Sequence, residues 1–130
     1  MLTPTIDVKE PLPDRRRSWT REVQIGNQTV ILSVGEYADG RPGEVFIDLL
    51  GVGTTTNGLL GTLARVVSMT LQDGGDITTI IRSLRGITYP PEGMVYGSAV
   101  VQRCSSVTDW IASELEAQYV VRESNATSAA

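Results

Sequence analysis

From Trp19 to Val34 the chain turns to alternation: Val23 and Ile25, then, across the dipeptide Gly26-Asn27, Val30, Leu32 and Val34 are spaced by two, with polar residues between them except at Ile31. Apolar side chains spaced by two share one face of a β-strand, and a two-residue connection containing glycine is a tight hairpin turn. The rest of the chain must therefore supply a partner for a half-apolar hairpin. After Tyr37 the stretch ADGRPG reads as a second turn, and Glu44 to Leu50 as another short β-rich run. Three antiparallel strands are expected.

The partner for their apolar face is helical. Leu60, Leu63, Ala64, Val67 and Leu71 recur at helical spacing until Gly74 and Gly75 stop them, with Thr55, Thr56 or Asn57 as candidate N-cap. Thr62 and Ser68 fall on other faces of this helix and are expected to tolerate polar changes. Asp76 caps a second, shorter helix carrying Ile77, Ile80, Ile81 and Leu84, which ends at Gly86. Ser105 or Ser106 caps a third, with Val107, Trp110, Ile111 and Leu115 on its apolar face. The expected fold class is α+β, a small antiparallel β-sheet packed against three helices. At 130 residues and 41% hydrophobic there is room for one such domain. Its expected bounds are 19–122, between a Pro/Arg-rich arm at 1–18 and a frayed polar tail at 123–130.

The chain lacks the parts of most catalytic chemistry. It has no histidine and a single cysteine, Cys104, which removes intramolecular disulfides, Cys/His zinc sites and Ser-His-Asp triads. No metal site and no cofactor are expected. Asp39, Glu44 and Asp48 fall near one turn and strand, and without histidine or a second cluster of metal ligands they read as solvated or strand-edge charges. The net charge of −4 argues against coating nucleic acid. No apolar run is long enough to span a bilayer, and the N-terminus resembles no secretory signal, so a cytoplasmic location is expected.

Gly51 to Gly58 opens the first helix with glycines, as phosphate loops do. It lacks the Gly-Lys-Ser/Thr of a P-loop, and Thr56 stands where a dinucleotide fingerprint needs glycine. What survives is a helix start with anion-binding potential, through backbone N–H groups after Gly53 and the hydroxyls of Thr54 and Thr55. Ile87 to Ser98 breaks all periodicity while keeping Tyr89, Met94 and Tyr96. Such a loop is either pinned to the core or presents a stacking surface. Arg15, Arg16 and Arg17 form either an anion site or a solvated basic bump.

The order GRPGEVFIDLL, then a helix leaving through Ser68, Leu71, Gln72 and Gly74, then Tyr89 to Met94, then CSSVTDWIASEL resembles the TSCPD domain. That is the small C-terminal domain of adenosylcobalamin-dependent ribonucleotide reductases, and the resemblance covers about Trp19 to Val121. It implies that the catalytic barrel, radical-forming cysteine and cobalamin site lie elsewhere in a far longer chain, so that this one is not an enzyme by itself. Small proteins of similar plan also occur among phage anti-defence proteins, notably the first Thoeris anti-defence family. That resemblance implies non-enzymatic sequestration of a nucleotide-derived signal, a cyclic ADP-ribose isomer or cyclic dinucleotide. The alternative is a detached accessory or assembly domain of a reductase.

On the sequestration reading the ligand-binding residues are Thr54, Thr55 and Asn57 at the helix start, Tyr89 and Met94 in the loop, and Arg103 before the third helix. The expected partners are that small molecule and a second copy of the chain, as a homodimer or higher oligomer that covers sheet edges and the long apolar helix. Neither nucleic acid nor membrane is expected.

Overall fold

The computed structural model describes residues 9–121. The first eight residues of the expected arm and the expected frayed tail lie outside them. The hairpin forms as the alternation demands: β1 (Ser18–Ile25) pairs antiparallel with β2 (Gln28–Glu36), with Val23 opposite Val30 and Arg21 opposite Leu32. β3 (Pro42–Leu50) lies antiparallel on the other side of β2, placing Val45, Ile47 and Leu49 beside Val34, Leu32 and Val30. The helices follow as α1 (Thr54–Gln72), α2 (Ile77–Leu84) and α3 (Val107–Glu116), the last running on into a π-helical turn at Ala117–Val121.

The sheet has five strands in the order β3-β2-β1-β4-β5, two more than the expected three. β4 (Gly93–Tyr96) pairs with the end of β1, and β5 (Arg103–Cys104) pairs with β4. Runs of four and two residues are too short to show a period of two, so their strand character comes from tertiary pairing. The α+β class stands.

α1 and α3 cover one face of this sheet, and α2 packs against α3. Val23, Ile25, Val30, Leu32, Val34, Val45 and Leu49 are buried from the sheet, Leu60, Ala64, Val67 and Leu71 from α1, and Trp110, Ile111 and Leu115 from α3, in one continuous core. The other face, carrying Phe46, Leu50, Met94 and Tyr96, is open.

α1 also seals an edge. Its Asn57 amide donates to the Leu49 carbonyl at 2.9 Å and accepts from the Leu49 N–H at 3.1 Å. The Ser68 hydroxyl accepts from the Val45 N–H at 2.8 Å, and Gln72 donates to the Gly43 carbonyl at 3.0 Å. These side chains replace the strand that β3 lacks, which corrects two expectations. The β3 edge is not left for a partner to cover, and Ser68 is not on a permissive face. The helix start is corrected as well. Its N-cap is Gly53, which offers no side chain, and not Thr55, Thr56 or Asn57. α2 and α3 begin as expected on Asp76 and Ser106, whose side chains accept from the N–H groups of Thr78 and Asp109.

The described part of the arm is held on the β2–β3 corner. Arg16 pairs with Glu44 at 2.6 Å, Arg41 reaches Glu10 at 2.9 Å, and the Glu10 N–H bonds the Gln72 carbonyl at 2.9 Å. Leu12 lies where a side chain at Gly43 would go: a Cβ there would stand 2.6 Å from its Cδ2. A side chain at 43 would make Leu12 or the Tyr37 ring shift.

Candidate functional site

Leu49 at the end of β3, the N-terminal half of α1, the Tyr89–Pro91 segment and the start of α3 enclose a cleft of about 380 Å³. Its walls are Thr56, Leu59, Leu60 and Leu63 from α1, Tyr89, Pro90 and Pro91 from the loop, and Val107 and Thr108 from α3. A second hollow of about 500 Å³ shares Leu49, Thr56, Pro90 and Pro91 with it and extends to the Gly26–Gln28 turn. Together they form a groove, mostly apolar, bordered by α1, the start of α3 and the Tyr89–Pro91 segment. That size and lining suit a small molecule or an apolar segment of a partner.

Tyr89 is half-buried and fixed at several points. Its hydroxyl donates to the Thr108 Oγ1 at 2.8 Å and accepts from the Thr108 N–H at 3.2 Å, while its own N–H bonds the Ser105 carbonyl. The loop is therefore pinned to the start of α3, and the ring of its anchor forms part of the cleft wall. Of the two alternatives for an aromatic in this loop, Tyr89 takes the first, being pinned to the core.

Thr54 and Thr55 are exposed in the first turn of α1, next to Thr56 in the cleft wall. With glycine as N-cap and no acidic residue in that turn, the positive end of the helix meets no side-chain counter-group. The Asn57 amide is committed to Leu49 and faces the strand edge.

Met94 and Arg103 lie elsewhere. They oppose each other across β4 and β5, and an Arg103 guanidinium nitrogen stands 3.3 Å from the Met94 sulfur. Arg103 borders a separate hollow of about 420 Å³ with Thr88, Glu92, Cys104, Ser105 and Asp109. The six expected residues thus divide: Tyr89 lines the main cleft, Thr54 and Thr55 adjoin it, Asn57 holds its wall, Arg103 borders the separate 420 Å³ hollow, and Met94 touches Arg103 without lining either. Leu49, Leu59, Pro90 and Thr108 enter the site from the structure alone. The Pro90-Pro91 pair is the signal by which the sequence could have pointed to a rigid wall here.

Asp109 sets the geometry between the two hollows. Burial works to raise its pKa, but the N–H groups of Ser105 at 3.0 Å and Gly86 at 2.9 Å hold it below the usual carboxylate range. It ties the end of α2 to the start of α3. Burial pushes the Cys104 thiol up, away from the thiolate that nucleophilic or redox chemistry needs. The carboxylates considered for hydrolysis are dispersed, with Asp39 paired to Arg41 at 2.7 Å and Glu44 to Arg16. Among the described residues no group of three or more His, Cys, Asp or Glu could hold a metal, and no helix is long and apolar enough to cross a membrane.

A family model for the TSCPD domain matches residues 4–119. The chain is 32% identical over 114 residues to the vitamin B12-dependent ribonucleotide reductases of Agrobacterium fabrum and Bradyrhizobium diazoefficiens, covering 88% of this chain and 9% of each reductase. The reductase of Rhodopirellula baltica is 33% identical over 104 residues, which is 80% of this chain and 10% of that protein. The chain spans about a tenth of the length of these relatives. No solved structure gives a significant match.

Proposed function

This chain belongs to the TSCPD domain family, and from that premise we propose that it acts by binding, without chemistry of its own, as an accessory domain serving a vitamin B12-dependent ribonucleotide reductase. The observation that carries this reading is the extent of the match. It takes in 88% of this chain but 9% of the Agrobacterium reductase, so the shared part is a small domain, and the reductase's activity belongs to the whole protein. On this reading the groove beside Tyr89 and Pro90 receives an apolar segment of the reductase. The test is sedimentation of this chain with a B12-dependent reductase from which its own TSCPD region has been removed. Co-migration is expected, and Leu59→Glu in the groove wall should abolish it. Separate migration at tens of micromolar of each protein would refute the accessory reading.

The sequestration reading keeps one specific observation, the roughly 380 Å³ cleft with the Tyr89 ring in its wall and the uncapped start of α1 beside it. A nucleotide-derived signal would place its base against Tyr89 and direct a phosphate at the N–H groups of Thr54 and Thr55. Because Arg103 borders the other hollow, it would reach only a ligand long enough to cross the loop. Calorimetric titration with cyclic ADP-ribose isomers and cyclic dinucleotides decides this. Binding with intact release of the ligand supports sequestration. Absence of heat across the panel removes it.

A further inference from the structure

The outward side of α1 is unlike a solvated helix face. Across its 19 residues it carries one charged side chain, Arg65, whereas the exposed face of a surface helix is ordinarily charged and polar. Thr55, Leu59, Thr62, Val66 and Met69 follow one another at intervals of four, three, four and three residues, and all are exposed. Leu59, Val66 and Met69 are 68%, 53% and 56% exposed. Alternating steps of four and three keep these side chains in one line along the helix, the seam by which two helices pack side by side.

We propose that this seam is the interface through which two copies of the chain associate, α1 against α1. The partner must itself be a helix with an uncharged seam of the same spacing, and α1 is what this chain offers of that kind. The outward residues of α2 include Thr78, Thr79, Arg82 and Ser83, and α3 is largely buried. Arg65 falls to the flank of the seam, so like charges do not meet in its centre. The polar inner side of the helix is already spent on β3 through Asn57, Ser68 and Gln72, which fixes the seam outward. Two copies laid together from Thr55 to Met69 cover on the order of 1,000 Å², about where specific interfaces begin, so the dimer is reversible and concentration-dependent. Cleft and seam adjoin along one helix, sharing Leu59, and association would therefore wall the groove on a second side. Because Leu59 serves both, the seam is tested at residues outside the cleft.

Sedimentation equilibrium of the whole chain over a hundredfold concentration range tests it. The wild type should move from monomer to dimer. Val66→Glu and Met69→Glu, which lie outside the cleft, should each weaken association at least about tenfold with an unchanged melting temperature at low concentration. Phe46→Glu, on the open face of the sheet, should associate as the wild type does. A wild type that stays monomeric at several hundred micromolar overturns the proposal. So does a dimer that survives both glutamates, or one that Phe46→Glu disrupts while they leave it intact.

Discussion

α1 and α3 cover the same side of one sheet and are held there by opposite means. α3 is sunk into the core: seven of its ten residues are buried, Trp110 is wholly enclosed, and even Glu114 is inside. That carboxylate accepts from the Trp110 indole at 2.9 Å and the Ser98 hydroxyl at 2.7 Å, and lies 3.4 Å from Arg21 on β1. α1 lies at the margin. It buries one stripe, fastens polar side chains to the backbone of β3, and leaves its outer side bare. The difference is one of anchoring: α3 is held by burial, while α1 is held by one apolar stripe and its clamp on β3 and keeps an exposed outer side, and both helices lend residues to the cleft wall.

The largest expected effect breaks the α3 side. Trp110→Ala removes a fully buried ring and one of the two donors to the Glu114 Oε2, leaving only the Ser98 hydroxyl, and should cost about 3–5 kcal/mol, read as a fall in denaturation midpoint that leaves little folded protein. A milder loss would mean that α3 is less central than its burial implies. Ser68→Ala tests the other mode. Removing that hydroxyl leaves the Val45 N–H without its acceptor, and should cost about 1–3 kcal/mol with faster amide exchange at Val45. Unchanged exchange there would show that the edge does not depend on the clamp.

Acid should separate the helices more gently. Asp76, held below the ordinary range by the Thr78 hydroxyl and N–H, and Asp109, depressed as described, stand at the starts of α2 and α3, whereas α1 begins on Gly53 with no carboxylate. A depressed carboxylate contributes stability that is fully present above its unfolded pKa of about 3.9 and is lost as pH falls through its lower folded value. Below about pH 4, amide protection at the first turns of α2 and α3 should therefore decline before that of α1. The reverse order would place the acid-sensitive groups elsewhere. Asp109→Asn should flatten the dependence in α3 while leaving that of α2.

The legible part of the fold is the part written in local periods. The hairpin came from alternation about Gly26-Asn27, and the helices from the spacing of Leu60 to Leu71, Ile77 to Leu84 and Val107 to Leu115. β4 and β5 were illegible because a strand of two or four residues is made by its neighbours. Asn57 looked like a capping or ligand residue because its type suits a helix start, and nothing local reveals that its amide meets Leu49. The cleft was half visible. Tyr89 stood out as an aromatic in a shaped loop, but a wall that joins Leu49 to Thr108 is a property of the packed molecule. Met94 and Arg103 were near in sequence to the right loop and on its other side in space.

The clamp along β3 has a consequence for how this protein can go wrong. A fibre built by strand addition grows only if each molecule offers two edges, one to receive a strand and one to present to the next. Here Asn57, Ser68 and Gln72 already occupy backbone groups of the β3 edge, so a molecule that accepted a foreign strand at the β5 end would have no matching edge with which to propagate it. Polymerisation would terminate after one step, and unfolding α1 would be the price of going further.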